Sequence, residues 1–121
     1  MIVDVEKLRD IAEVEFADIV ADAISTDINE LRIIFTDGSF LDVWYSLKLE
    51  GRYSYHWERK FIDETIYRHD NAPHLKWKNV STFPKHFHNG SEDAVTDSKI
   101  SDDPKIALRE VLSFSRNIIE E

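Results

Sequence analysis

Leu31-Arg32-Ile33-Ile34-Phe35-Thr36-Asp37-Gly38-Ser39-Phe40-Leu41-Asp42-Val43-Trp44-Tyr45-Ser46-Leu47 is two β-branched and aromatic runs joined by an Asp-Gly pair. Asp-Gly between such runs predicts a type I′ hairpin of two antiparallel strands, 31–35 and 40–47. The pattern continues downstream. Glu50-Gly51 marks a turn, after which Tyr53, Tyr55 and Trp57 alternate with Ser54, His56 and Glu58, as a strand with two unlike faces does. A polar break at 60–63 leads to a further strand at 65–69. Upstream, Val14, Phe16, Ile19 and Val20 suit a first strand within 14–24, with a continued helix as the alternative.

Helical signals stand at the two ends. Asp4 is placed to cap a short opening helix with the apolar stripe Val5, Leu8, Ile11 and Ala12, ending before Phe16. Asp103-Pro104 supplies a cap and a first-turn proline for a longer closing helix. One face of that helix carries Leu108, Val111, Leu112, Ser115, Ile118 and Ile119. The expectation is one α+β domain over 1–121: a mainly antiparallel sheet of about five strands, flanked by a short first helix and a longer last one. Residues 70–90, with Pro73, Pro84 and Asn89-Gly90, read as a long loop or short edge elements, and such loops are more often functional than decorative.

The chain has 121 residues, enough for one hydrophobic core. It has no cysteine, which excludes disulfides and thiolate metal sites. The N-terminus does not read as a signal peptide, and no run approaches the roughly 20 apolar residues of a membrane span, so a cytoplasmic protein without membrane contact is expected. The formal net charge of −9 argues against broad duplex binding, which depends on neutralising phosphates. That charge is uneven. Residues 51–90 hold seven basic against four acidic residues, while the flanking segments are both acidic, and all five histidines (His56, His69, His74, His86, His88) fall in that basic stretch. A local cationic excess can hold a phosphate on an acidic protein, because charges beyond a Debye length of roughly 8 Å are screened.

Three stretches in this region stand in a distinctive order: Tyr53-Ser54-Tyr55-His56-Trp57, then Arg68-His69-Asp70-Asn71-Ala72-Pro73-His74, then Thr82-Phe83-Pro84-Lys85-His86-Phe87-His88. With the Asp-Gly hairpin and the closing helix, they resemble the TumE-type toxins over most of the chain. The family pattern has a Tyr-x-Tyr-His-Trp-like strand, an Arg-x-Asp-Asn-Ala-Pro-His-His segment and a Thr-Phe-Pro-His-His-Lys-His segment. The resemblance implies a toxin neutralised by a helix-turn-helix antitoxin encoded beside it, and it leaves the reaction open. This chain departs from the pattern at Leu75 and Lys85, where histidines would stand, and at Phe87, where a lysine would. An activity that needed either replaced histidine would be lost here.

Cleaving RNA without a metal needs a base for the 2′-hydroxyl proton, an acid for the leaving 5′-oxygen and a cation for the charged phosphorane. His74, His86 and His88 are the candidate acid and base, with His56 a further candidate and Asp70 orienting an imidazole. Arg68 and Lys85 are the candidate phosphate holders, and Trp57, Tyr55 and Trp77 offer surfaces on which unpaired bases stack. No cofactor is called for in this scheme, and a homodimer is compatible with it. Each group also has a plainer reading. The strand aromatics suit core packing, Asn71-Ala72-Pro73 a turn that Asp70 supports, Arg68 with Asp70 a surface ion pair, and His69 and His56 each a satisfied half-buried histidine. Two alternatives stay open: a metal-binding hydrolase using His86, His88, His74 and Asp70, and a non-catalytic protein-binding module. Gly-x-Ser-x-Gly, H-E-x-x-H and phosphate-cradling glycine motifs are absent.

Overall fold

The computed structural model describes residues 2–121. Chain order is α1 (Val5–Glu15), β1 (Val20–Asp27), β2 (Glu30–Phe35), β3 (Phe40–Tyr45), β4 (Tyr53–Arg59), α2 (Lys60–Asp63), β5 (Thr65–Asp70), a 3-10 turn (Leu75–Trp77), β6 (His86–Gly90), β7 (Val95–Asp97) and α3 (Pro104–Ile119). Each strand pairs antiparallel with its sequence neighbours, in the order β1 to β7. The α+β class and the unequal terminal helices are as expected. The sheet, however, has seven strands rather than about five. β6 lies inside it, bonded to β5 and β7, where sequence suggested a loop or an edge. Its five residues carry two histidines and an Asn-Gly end, so no apolar run announces it.

The first strand also moves. α1 continues through Val14, which is 77% exposed, and ends at Glu15. A turn follows in which Ile19 N and Val20 N donate to Phe16 O, and β1 starts at Val20. At the other predicted helix end, Asp103 accepts from Lys105 N and Ile106 N as a cap should.

The Asp-Gly hairpin forms, with a different turn. Gly38 N donates to Phe35 O and Phe35 N to Ser39 O, and among the described residues of this turn only Gly38 has a positive φ, +90°. A type I′ turn needs positive φ at both central residues, so this is a longer loop closed by a left-handed glycine. The extra residue lets the Asp37 carboxylate accept from Ser39 N and Oγ and from Arg59 Nη1 at 2.7 Å. Arg59 is 5% exposed, lies over the Trp57 ring and also bonds Asp63, which ties the hairpin to α2.

Strand alternation gives the sheet two faces of opposite character. One buries Ala23, Leu31, Ile33, Leu41, Val43 and Trp57 against α1 and α3. Phe114 of α3 meets the rings of Trp57, Tyr67 and Phe87, which fixes α3 across β4 to β6. Burying each such side chain is worth about 1.5–3 kcal/mol, and this face is where the stability resides. The opposite face carries a polar row in which Arg32, Asp42, His56, Arg68 and His88 are successive cross-strand partners. Arg32 and Asp42 form a two-bonded ion pair at 2.8 and 2.9 Å.

Candidate functional site

Pairing of β4, β5 and β6 assembles the site on the polar face. Arg68 stands opposite His56 on one side and His88 on the other, and Asp70 stands opposite His86. Residues 71–85 leave β5 and return over the same face, so that Trp77 tilts onto His86 and meets His88 edge-on, with ring centroids 6.3 and 5.7 Å away. The cavity beneath holds about 280 Å³ and is lined by Arg68, Asp70, His74, Trp77, His86 and His88, among others. Both β6 histidines are only 2% exposed.

The two rings have different surroundings. His86 faces an oxygen at each nitrogen: Pro84 O lies 2.8 Å from Nδ1 and Asp70 Oδ1 lies 3.2 Å from Nε2. Nδ1 donates to the carbonyl, and Nε2 is left facing the carboxylate at ion-pair distance. His88 donates from Nδ1 to Glu92 O at 2.8 Å and accepts at Nε2 from Arg68 Nη2 at 3.2 Å, which is the pattern of a neutral ring. Burial, with the Arg68 cation beside it, pushes the His88 imidazole below its usual range. The two rings are 5.1 Å apart.

Arg68 is held from several sides. Glu92 takes it through two bonds of 3.0 and 2.7 Å, Asp70 through one of 3.2 Å, and His56 Nδ1 lies 3.3 Å from Nη1. These bonds to Glu92, followed by the Coulombic pull of the guanidinium, keep the Glu92 carboxyl low despite opposing burial. Asp70 also accepts from Ala72 N, and Asn71 clamps Tyr53 N and Gly51 O, so the turn after β5 is fixed by the side chains that sequence assigned to turn building. His74 caps the 3-10 turn, accepting from Lys76 N with Nδ1.

Of the sequence candidates, Asp70, His74, His86, His88 and Arg68 share the cavity, and His56 joins its edge through Arg68. Three do not. Trp57 and Tyr55 are 1% exposed on the core face, so neither offers a surface to a base, and the core-packing reading of these aromatics is the one the structure shows. Lys85 precedes His86 on the chain and points the other way, to Ile100 O at 2.5 Å and Asp102 at 3.2 Å. It borders a second cavity of about 410 Å³ with Tyr45, Tyr53 and Asn71, in which no histidine lies. His69 also faces away, stacked on Phe87 with Nδ1 against Ser98 Oγ at 2.7 Å. The positions that depart from the family pattern, Leu75, Lys85 and Phe87, do not line the histidine cavity.

Sequence reasoning missed Glu92. Its signal was the Asn89-Gly90 turn, which reverses the chain so that a residue four places after His88 returns beside it. Trp77, a stacking candidate in the sequence, is the indole placed at the site. Among the described residues no helix is long and apolar enough to cross a membrane. No curated protein and no solved structure is significantly similar to the chain. A family model described as Toxin TumE matches residues 4–119, and on that match over nearly its whole length the chain belongs to the TumE toxin family.

Proposed function

We propose that this toxin cleaves RNA by metal-free histidine acid–base chemistry, and that a helix-turn-helix antitoxin restrains it. The observation that carries the reading is the unlike surroundings of two neighbouring rings: Asp70 Oδ1 lies 3.2 Å from His86 Nε2, placed to favour a proton on that nitrogen, while His88 Nε2 accepts from Arg68 and so carries a free pair once Arg68 moves. An acid, a base and a cation are the three groups the reaction needs. His88 Nε2 takes the proton of a ribose 2′-hydroxyl, the 2′-oxygen attacks the adjacent phosphorus, and the P–O5′ bond breaks as His86 Nε2–H protonates the leaving oxygen. Arg68 leaves His88 for the phosphorane oxygens, where a guanidinium binds two at once. The products are a 2′,3′-cyclic phosphate and a 5′-hydroxyl.

Burial of both rings sets a condition on entry. Trp77 lies against them, and Asp70 and Arg68 stand at the two Nε2 atoms, so a phosphate reaches either nitrogen only as these side chains part. A half-exposed indole at that position then offers an unpaired base a stacking face, worth roughly 1–3 kcal/mol.

The test is cleavage of an end-labelled structured RNA by chelator-treated protein. His88→Asn is the informative variant, because its amide nitrogen keeps the bond to Glu92 O while the basic Nε2 is lost. His→Ala would leave buried carbonyls unpaired, at about 1–3 kcal/mol each, and blur activity with folding. Wild type is expected to produce cyclic-phosphate ends and the folded His88→Asn protein none. Equal cutting by both would overturn the assignment.

A further inference from the structure

We propose that Asp70, His86 and His88 form a three-ligand site for a divalent transition cation of the Zn²⁺ kind. One ligand atom from each residue lies within 4.8 Å of the other two. A cation with bonds of about 2.0–2.2 Å spans ligand atoms roughly 3–4 Å apart, so the set closes by moving about 1 Å.

Three features go beyond proximity. First, both imidazoles give Nδ1–H to a backbone carbonyl, Pro84 O and Glu92 O, which fixes ring orientation and turns the Nε2 lone pairs toward the cavity. That outer bond is the support that metal-binding histidines use. Second, His86 Nε2 and Asp70 Oδ1 lie 3.2 Å apart without a hydrogen bond between them, two electron-pair donors that a shared cation would reconcile. Third, the ligands sit on paired strands, with Asp70 directly opposite His86, so little ordering is left for binding to cost. Two imidazoles and a carboxylate suit Zn²⁺, Fe²⁺ or Co²⁺ rather than Ca²⁺ or Mg²⁺.

Arg68 opposes the cation and provides the means of excluding it. Its Nη2 covers the His88 lone pair at 3.2 Å, while Glu92 and Asp70 hold the rest of the guanidinium. Binding therefore requires that Arg68 release His88. An occupied site takes both Nε2 atoms out of acid–base chemistry, so the cation inhibits RNA cleavage. That inhibition rests on the ribonuclease reading, whereas cation binding does not.

The experiment is calorimetric titration of the chelator-treated full chain with Zn²⁺, with Co²⁺ absorption as a second readout of coordination. Wild type is expected to bind one ion, and His88→Asn and Asp70→Asn to bind at least about tenfold more weakly. His69→Phe, on the other face of the sheet, should match wild type. Arg68→Met is expected to bind more tightly, and circular dichroism confirms that each variant is folded. Wild-type binding no stronger than that of His88→Asn, or equal loss in His69→Phe, overturns the site. Zn²⁺ binding by a protein that cuts no RNA with or without the ion would remove the ribonuclease reading and leave the site standing.

Discussion

His69 and Asp70 are adjacent in sequence and have opposite fates. Asp70 faces the polar cavity, while His69 turns inward, and burial is the first cause that pushes its imidazole down to about 4. A histidine depressed in the folded state takes up its proton more readily in the unfolded chain, whose pKa is about 6.5. Stability is therefore expected to fall as pH drops from about 6.5 to 4, by at most roughly 3 kcal/mol from this residue. Urea unfolding at the two ends of that window should show a smaller loss in His69→Phe than in wild type, and identical slopes would exclude His69 as the cause. Residue identity and the family pattern made Asp70, Arg68, His74, His86 and His88 legible in the sequence. Direction was harder. Alternation separates Tyr55 and Trp57 from His56, but which side becomes the core depends on where the helices land. Reading residues 85–88 as a strand would have set Lys85 apart from His86, and the prolines and histidines hid that strand.

At the scale of elements, β3 and β4 share a cluster of three phenols. Tyr45, Tyr53 and Tyr55 meet pairwise with ring centroids 5.7–5.9 Å apart, and the Tyr45 and Tyr55 hydroxyls bond each other. Burial pushes the Tyr45 phenol up to about 12 and raises Tyr53 and Tyr55 as well. A raised folded pKa means that the contribution is whole below the unfolded value of about 10 and is lost as pH climbs through the folded one. A steep loss of stability is thus expected between pH 10 and 12, checked by chemical denaturation across that range, and Tyr45→Phe should soften it. Elements with strong local signals were read well, such as the capped helices and the strands from 31 to 69. β6 and β7 were not, because five and three residues are too few for periodicity to show, and pairing with neighbours defines them instead.

For the whole molecule, the chain winds up and down through seven neighbouring strands, and α1 and α3 close on one face. α3 also makes exposed ion pairs with the end of α1 and the turn that follows it, Arg109 with Glu15 and Arg116 with Asp18. Solvent and salt screen such pairs, so the buried contact should dominate. The double substitution Arg109→Ala with Arg116→Ala is expected to leave the urea midpoint near that of wild type. Leu112→Ala, at a fully buried position, should cost about 3 kcal/mol. Comparable losses from the two would show that the ion pairs hold the ends together. The borders of the sheet carry a different consequence. β1 shifts register twice and bears Asp22 and Asp27, and β7 is only three residues long. Neither presents a long, flat row of free N–H and C=O groups on which another chain can build. A surplus of toxin left without its antitoxin is thereby guarded against edge-to-edge aggregation into fibres.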